Sequence, residues 1–189
     1  MTQVEVLVKL LAPDPWSFTV YDTLNRKFGL EEIVGIERIK TWTLSYEDVA
    51  ADDAVGSTRT ILKQTVLLAN PNRDIVQVRT GPSVPAVPRI YSGKPGVAEA
   101  FVVLVRNTGD PSGRNVARIA RSRLGIPALG DVARATAWVI EMSSGGPRAR
   151  QVAEDVAVLE ARGRGLLANP HCQEAEVVSA RDYLLGGRG

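Results

Sequence analysis

Leu67-Leu68-Ala69-Asn70-Pro71 recurs residue for residue as Leu166-Leu167-Ala168-Asn169-Pro170, 99 positions later in a chain of 189 residues. Working back from each pentapeptide, a second block of matches appears at an offset of 96. Val6, Asp14, Pro15, Val20, Gly29, Arg38 and Trp42 fall on Val102, Asp110, Pro111, Val116, Gly125, Arg134 and Trp138. Trp, Gly and Asp-Pro seldom coincide by chance. The three-residue change of offset lies between Trp138 and Leu166, where Ser143-Ser144-Gly145-Gly146-Pro147 reads as a loop, and loops tolerate insertion. The chain is a tandem duplication, and a repeat of this kind decides the architecture before any single element does.

The boundaries follow. Copy one is 1–80 and copy two is 97–180. Residues 81–96 form a Pro/Gly linker, Thr80-Gly81-Pro82-Ser83-Val84-Pro85 onward to Pro95-Gly96, whose prolines favour a semi-rigid extended connection. Residues 181–189 read as a flexible tail ending in Gly186-Gly187-Arg188-Gly189.

Within copy one, Val4, Val6, Val8 and Leu10 alternate and predict a strand with one buried face. Asp14 reads as a helix N-cap with Pro15 at the first helical position. The helix presents Val20, Tyr21, Leu24 and Phe28 on one side and stops at Gly29. A strand within Ile33 to Tyr46 follows, with Ile36, Arg38, Lys40, Trp42 and Leu44 on one face. A helix over 57–69 is expected to close at Asn70, in the left-handed conformation, before Pro71. A strand from Asp74 to Arg79 completes a β-α-β-α-β unit.

Copy two repeats the plan as strand 97–106, helix 111–124 capped at Asp110, strand 129–142, helix 148–168 capped at Asn169, and strand 173–179. Val97 to Val105 is apolar on both faces, which places it where copies or subunits meet. Ala133, Ala135 and Ala137 make one face of the second strand small enough for close approach. Three strands are few for an independent domain, so the copies are expected to associate through their sheets. The fold class is α+β, with antiparallel sheets and helices on one side.

Chemistry is sparse. His171 is the only histidine and Cys172 the only cysteine, so no disulfide and no Cys/His zinc set can form. A nucleophilic triad would rest on His171 alone, at a turn where a strand-entry role suits it better. The carboxylates Glu47, Asp48, Asp52 and Asp53 lack the glycine turn of a calcium loop. No phosphate-binding loop of the Walker type occurs. No catalytic residue, metal or cofactor is expected.

The net charge of +2 and only ten aromatic residues do not suggest nucleic acid. No apolar run reaches the ~20 residues of a bilayer span, so a soluble, cytoplasmic protein is the expectation. Arg114, Arg118 and Arg121 form a basic stripe on one helix face, either solvated or turned toward an acidic partner. Arg38 with Trp42, and Arg134 with Trp138, share a strand face at a spacing of four. They are either core with an arginine at its rim or interface anchors.

The joints of both copies resemble PurS, the small subunit of phosphoribosylformylglycinamidine synthase. Asp110-Pro111-Ser112-Gly113 and Asp14-Pro15-Trp16-Ser17 resemble that family's helix start. Phe28-Gly29-Leu30 and Leu124-Gly125-Ile126 resemble its helix end, Ile36-Glu37-Arg38-Ile39-Lys40 its second strand, and Leu-Leu-Ala-Asn its most diagnostic segment. The family's Gly-Lys in the second strand is replaced around Thr41-Trp42 and Ala137-Trp138. The resemblance implies two ferredoxin-like-related units fused as a pseudo-dimer. It also implies a non-catalytic scaffold bridging a glutaminase and an ATP-dependent synthetase in purine synthesis, with further self-association. The alternatives are a free-standing small-molecule-binding or regulatory protein, a paralogue serving another amidotransferase, or an enzyme acting in a groove between the copies.

Overall fold

The element order recurs, and the units in which it packs do not follow the copies. The computed structural model describes residues 1–80, 90–91, 93–158 and 165–184. Copy one supplies β1 (Thr2–Leu10), α1 (Pro15–Asp22), β2 (Ile33–Tyr46), α2 (Ala51–Gln64) and β3 (Asp74–Thr80). Copy two supplies β4 (Glu99–Asn107), α3 (Ser112–Arg123), β5 (Leu129–Met142), α4 (Pro147–Ala157) and β6 (Gln173–Ser179), followed by α5 (Ala180–Leu184). The strands form one antiparallel six-stranded sheet in the order β3-β1-β2-β5-β4-β6, and the fold is α+β. Among the described residues no helix is long and apolar enough to cross a membrane.

The chain divides into two compact units. The first comprises Met1–Ala12, Lys40–Ile90 and Gly109–Ala135; the second comprises Pro13–Ile39, Tyr91–Thr108 and Thr136–Gly189. Each therefore draws on both copies, and β2 and β5 each contribute one half to either unit. In the first unit, Val6 of β1 sits opposite Trp42 of β2 and Val78 of β3. α2 covers this face with Ala54 and Ile61 from its own copy, while Val116 and Ala120 of α3 come from the other copy. In the second unit the exchange runs the other way. Val20 and Leu24 of α1 join Val103 of β4, Ile140 of β5 and Val152 of α4. Each fully buried Val, Leu or Ile stabilises by about 1.5–3 kcal/mol, so neither core is complete without both copies.

Two backbone bonds mark the exchange. In the first unit Glu47 N donates to Ala128 O at 3.0 Å; in the second, Ser143 N donates to Glu32 O at 2.9 Å. Under the 96-residue shift these are the same bond with the copies interchanged.

Several sequence expectations need correction. α2 begins at Ala51, six residues early, and stops at Gln64. Thr65 is extended, and both its backbone N–H and its hydroxyl reach Ile61 O. Leu68 and Ala69 are thus buried from a bent segment, not from a helix. Asn70 is no helix cap, and the only non-glycine with positive φ among the described residues is Asp48. Asn70 instead builds a turn: its side chain accepts from Asn72 N, and its carbonyl accepts from Arg73 N and Asp74 N. Asn169 does the same, accepting from His171 N and, at its carbonyl, from Cys172 N and Gln173 N. α4 ends at Ala157, well short of 168; residues 159–164 lie outside the described part of the chain.

β4 begins at Glu99 and lies between two strands of its own copy, not where the copies meet. It is apolar on both faces because α4 and α5 both pack on it. α5 occupies the first part of the expected flexible tail, with Ala180 and Leu184 buried; 185–189 lie outside the described residues. Of the expected linker, 81–89 and 92 also lie outside, while Ile90 and Tyr91 are buried. Ala133 is exposed and Ala137 is buried, so the small face is packed only at its far end.

Candidate functional site

The Asp-Pro joints place a carboxylate at the foot of each exchanged helix. Asp14 caps α1 by accepting from Trp16 N at 3.1 Å. Asp110 stands one residue further from α3, whose N-cap is Pro111, and accepts from Ser112 N at 2.8 Å. Hydrogen bonding from Ser112 holds the Asp110 carboxyl below its usual range; burial opposes this, and the charge of Arg134 assists it. Each carboxylate holds the arginine of the neighbouring strand. Arg38 grips Asp14 through two bonds, Nε at 2.7 Å and Nη2 at 3.0 Å, while Arg134 reaches Asp110 through Nε at 3.1 Å.

The arginines do not pair with the tryptophans four residues along their own strands. Arg134 lies over Trp42, with 5.7 Å from Cζ to the ring centroid. Arg38 lies over Trp138 at 5.7 Å and also over Trp16 at 5.8 Å. These contacts are favourable cation–π arrangements. Trp42 and Trp138 are core residues, 5% and 8% exposed, and Trp42 Nε1 donates to Leu68 O at 3.1 Å. Arg38 and Arg134 sit at the rim of that core.

Beside the Arg134–Trp42 contact the first unit opens into a groove of about 310 Å³. Lys40, Arg73 and Arg134 line it with Trp42, Ser112 and Asn115. Asp74, also at the groove, is already engaged: Arg73 Nε lies 3.3 Å from one oxygen and Asn70 N donates to the other at 2.8 Å. Among the described residues Lys40 makes no ion pair. A shallower hollow lined by Lys63 and Arg123 adjoins it, sharing Val66 and Leu67. Sequence reading placed Lys40 on the face of Arg38 and Trp42 but gave it no role, because Arg73, Ser112 and Asn115 reach it from other elements.

The 96- and 99-residue shifts identify the counterparts of this groove in the second unit. Lys40 corresponds to Thr136, Arg73 to Cys172, Asp74 to Gln173 and Ser112 to Trp16. The turn is kept, since Asn169 N donates to Gln173 Oε1 at 2.8 Å as Asn70 N does to Asp74. The charges are not kept. Where Ser112 is small, Trp16 stacks on Arg38.

No known protein family matches the chain, and no curated protein matches it.

The remaining candidates fall elsewhere. Arg114, Arg118 and Arg121 are exposed on α3, and Arg121 Nη2 donates to Gly130 O at 2.9 Å. None of the three lines the groove. His171 and Cys172 are exposed on the turn that Asn169 builds. Asp52 and Asp53 lie in the first turn of α2, where the helix dipole favours them. Among the described residues no group of three or more His, Cys, Asp or Glu is placed to hold a metal ion.

The second unit holds one buried charged cluster that sequence reading missed. The Glu141 carboxylate is fully buried and lies 2.7 Å from Lys94 Nζ, with Tyr91 donating to its other oxygen at 3.3 Å. Lys94 also lies 3.2 Å from Glu37. Gly35 leaves the room that this carboxylate fills. Burial would lower the Lys94 pKa, but its bonds and charges from Glu141 and Glu37 outweigh that and raise it. Tyr91 is raised by burial first and then by Glu141. The cluster ties residues that follow the first copy to β5.

Proposed function

We propose that this chain is a scaffold subunit: a fused pair of PurS-like units that bridges a glutaminase and an ATP-dependent synthetase in a phosphoribosylformylglycinamidine synthase-type complex of the cytoplasm. The observation that supports it is the exchange of α1 and α3 between the copies. Two separate small subunits that complete each other's cores would pack this way, and fusing them makes the pair obligatory. The resemblance of the joints supplies the identity of the partners, and recruitment to another amidotransferase would use the same surfaces.

Bridging needs exposed anchors. Trp16 and Phe18, 64% and 70% exposed in the first turn of α1, offer a pair beside Arg38. Trp and Arg are frequent interface hot spots. Copy two carries Ser112 and Arg114 in those places, so the anchors belong to one unit only.

Co-purification tests the reading. The chain should elute with the glutaminase and the synthetase in the presence of glutamine and nucleotide. The double substitution W16A/F18A should weaken that complex by at least about tenfold. A stable complex with neither enzyme under those conditions would overturn it.

A further inference from the structure

We infer that the groove of the first unit binds a small oxyanion, a phosphate monoester or a compact polycarboxylate, through Lys40, Arg73 and Arg134. The assignment rests on charge, space and an internal control. Three cations line about 310 Å³. Asp74, the carboxylate of the lining, is held by Arg73 and Asn70 N. Lys40 is half-buried and, among the described residues, makes no ion pair. Removing a lysine from bulk water is unfavourable unless an anion compensates it. Ser112 and Asn115 add neutral hydrogen-bonding groups at the same rim. Arginine and lysine together suit an oxyanion, the guanidinium by its fork and the ammonium as a point charge.

The second unit shows what the same framework becomes without such a ligand. Its turn, its Arg38–Asp14 pair and its Trp138 are kept. The lysine is Thr136, the Arg73–Asp74 pair is Cys172 and Gln173, and Trp16 takes the place of Ser112. These differences fall on residues that line the groove, while the turn and the aspartate–arginine contact are kept. Neither Trp16 nor Phe18 is among the residues that line the groove, so binding and bridging stand or fall separately.

Calorimetry on the intact chain at low ionic strength tests this with inorganic phosphate, ribose 5-phosphate and citrate, with neutral ribose as the blank. Saturable binding of at least one anion and none of ribose is expected. Tighter binding of ribose 5-phosphate than of citrate would identify a phosphate monoester, and the reverse a polycarboxylate. Lys40→Thr, which installs the second unit's residue, should weaken binding by about tenfold or more. It should leave thermal unfolding unchanged, because no ion pair is lost. Arg73→Cys should weaken binding less, and Ser112→Trp should abolish it. The inference is overturned if no anion binds at about 10 mM, or if Lys40→Thr binds as tightly as the parent. It is equally overturned if affinity follows ionic strength alone.

Discussion

The two units use one framework for different ends, and copy against copy is a controlled comparison within one chain. In the first unit, Arg134 is ion-paired with Asp110 at 3.1 Å and its side chain remains 39% exposed, beside an open, cationic groove. In the second, Arg38 holds two bonds to Asp14, is 21% exposed, and is covered by Trp16. The difference teaches that the aspartate–arginine–tryptophan contact is structural, since both units keep it. What surrounds it differs: Lys40 and Arg73 line the groove in the first unit, and Trp16 lies by the arginine in the second.

The largest effect should come from the shared part. Trp42→Ala should cost about 4 kcal/mol in urea unfolding. Trp138→Ala should cost about 1 kcal/mol less, because among the described residues only Trp42 has an indole bond, to Leu68 O, whose loss strands a buried carbonyl. Equal losses would mean that this bond carries nothing.

Next comes the helix start. A Cβ on Gly113 would collide with the Val132 carbonyl, whereas the matching Ser17 is accommodated and donates to Asp14 Oδ2 at 3.2 Å. Gly113→Ser should therefore destabilise by about 3 kcal/mol, and Ser17→Gly by about 1 kcal/mol. A benign Gly113→Ser would show that α3 and α1 approach their strands alike. Arg38→Ala should cost about 2 kcal/mol and Arg134→Ala about 1 kcal/mol, given two hydrogen bonds and two rings against one ion pair and one ring. Reversal of that order would refute the closed-versus-open contrast.

The smallest effect is the response to pH. Asp110, in the first unit, is held below its ordinary value. Its contribution is present above about pH 3.9 and is lost as pH falls through the folded-state value. Lys94 and Tyr91 in the second unit, and Tyr46 in the first, are held above theirs. Their contributions are full below about pH 10 and fade as pH rises through the raised values. Amide exchange should show the first unit loosening as pH falls below about 3.9, with Asp110→Asn removing that step. Uniform loosening would count against it.

Much of the fold was legible because alternation and turn chemistry are local. The bounds of β5 and β6 agree with the period-two pattern. The sequence predicts one helix up to Gly29, whereas α1 stops at Asp22 and a π-helical turn, Thr23–Lys27, carries the chain toward Gly29, whose φ is 70°. The misjudged end of α2 has a physical cause. Thr65 closes the helix through its own hydroxyl, and the apolar Leu67-Leu68-Ala69 that follows reads equally well as helix or as buried coil. The arginine–tryptophan contacts were half legible. A strand's period places Arg38 and Trp42 on one face, but only pairing with another strand decides which ring lies under which guanidinium. The groove was the least legible, because its cations come from β2, β5 and the turn before β3.

The exchange of helices also governs how the chain must be made. The core of the first unit needs Val4 and Val132, and that of the second needs Val20 and Ala168. At typical rates of synthesis, roughly ten seconds pass between emergence of the first apolar strand and arrival of the helix that covers it. Through that interval α2 alone covers that face of the nascent first copy's sheet, and the core stays incomplete, a state that invites chaperones. Contacts this distant in sequence also predict slow folding. A cut between the copies would not release two finished halves. It would leave two fragments, each holding part of both cores and each serving as the template on which the other folds.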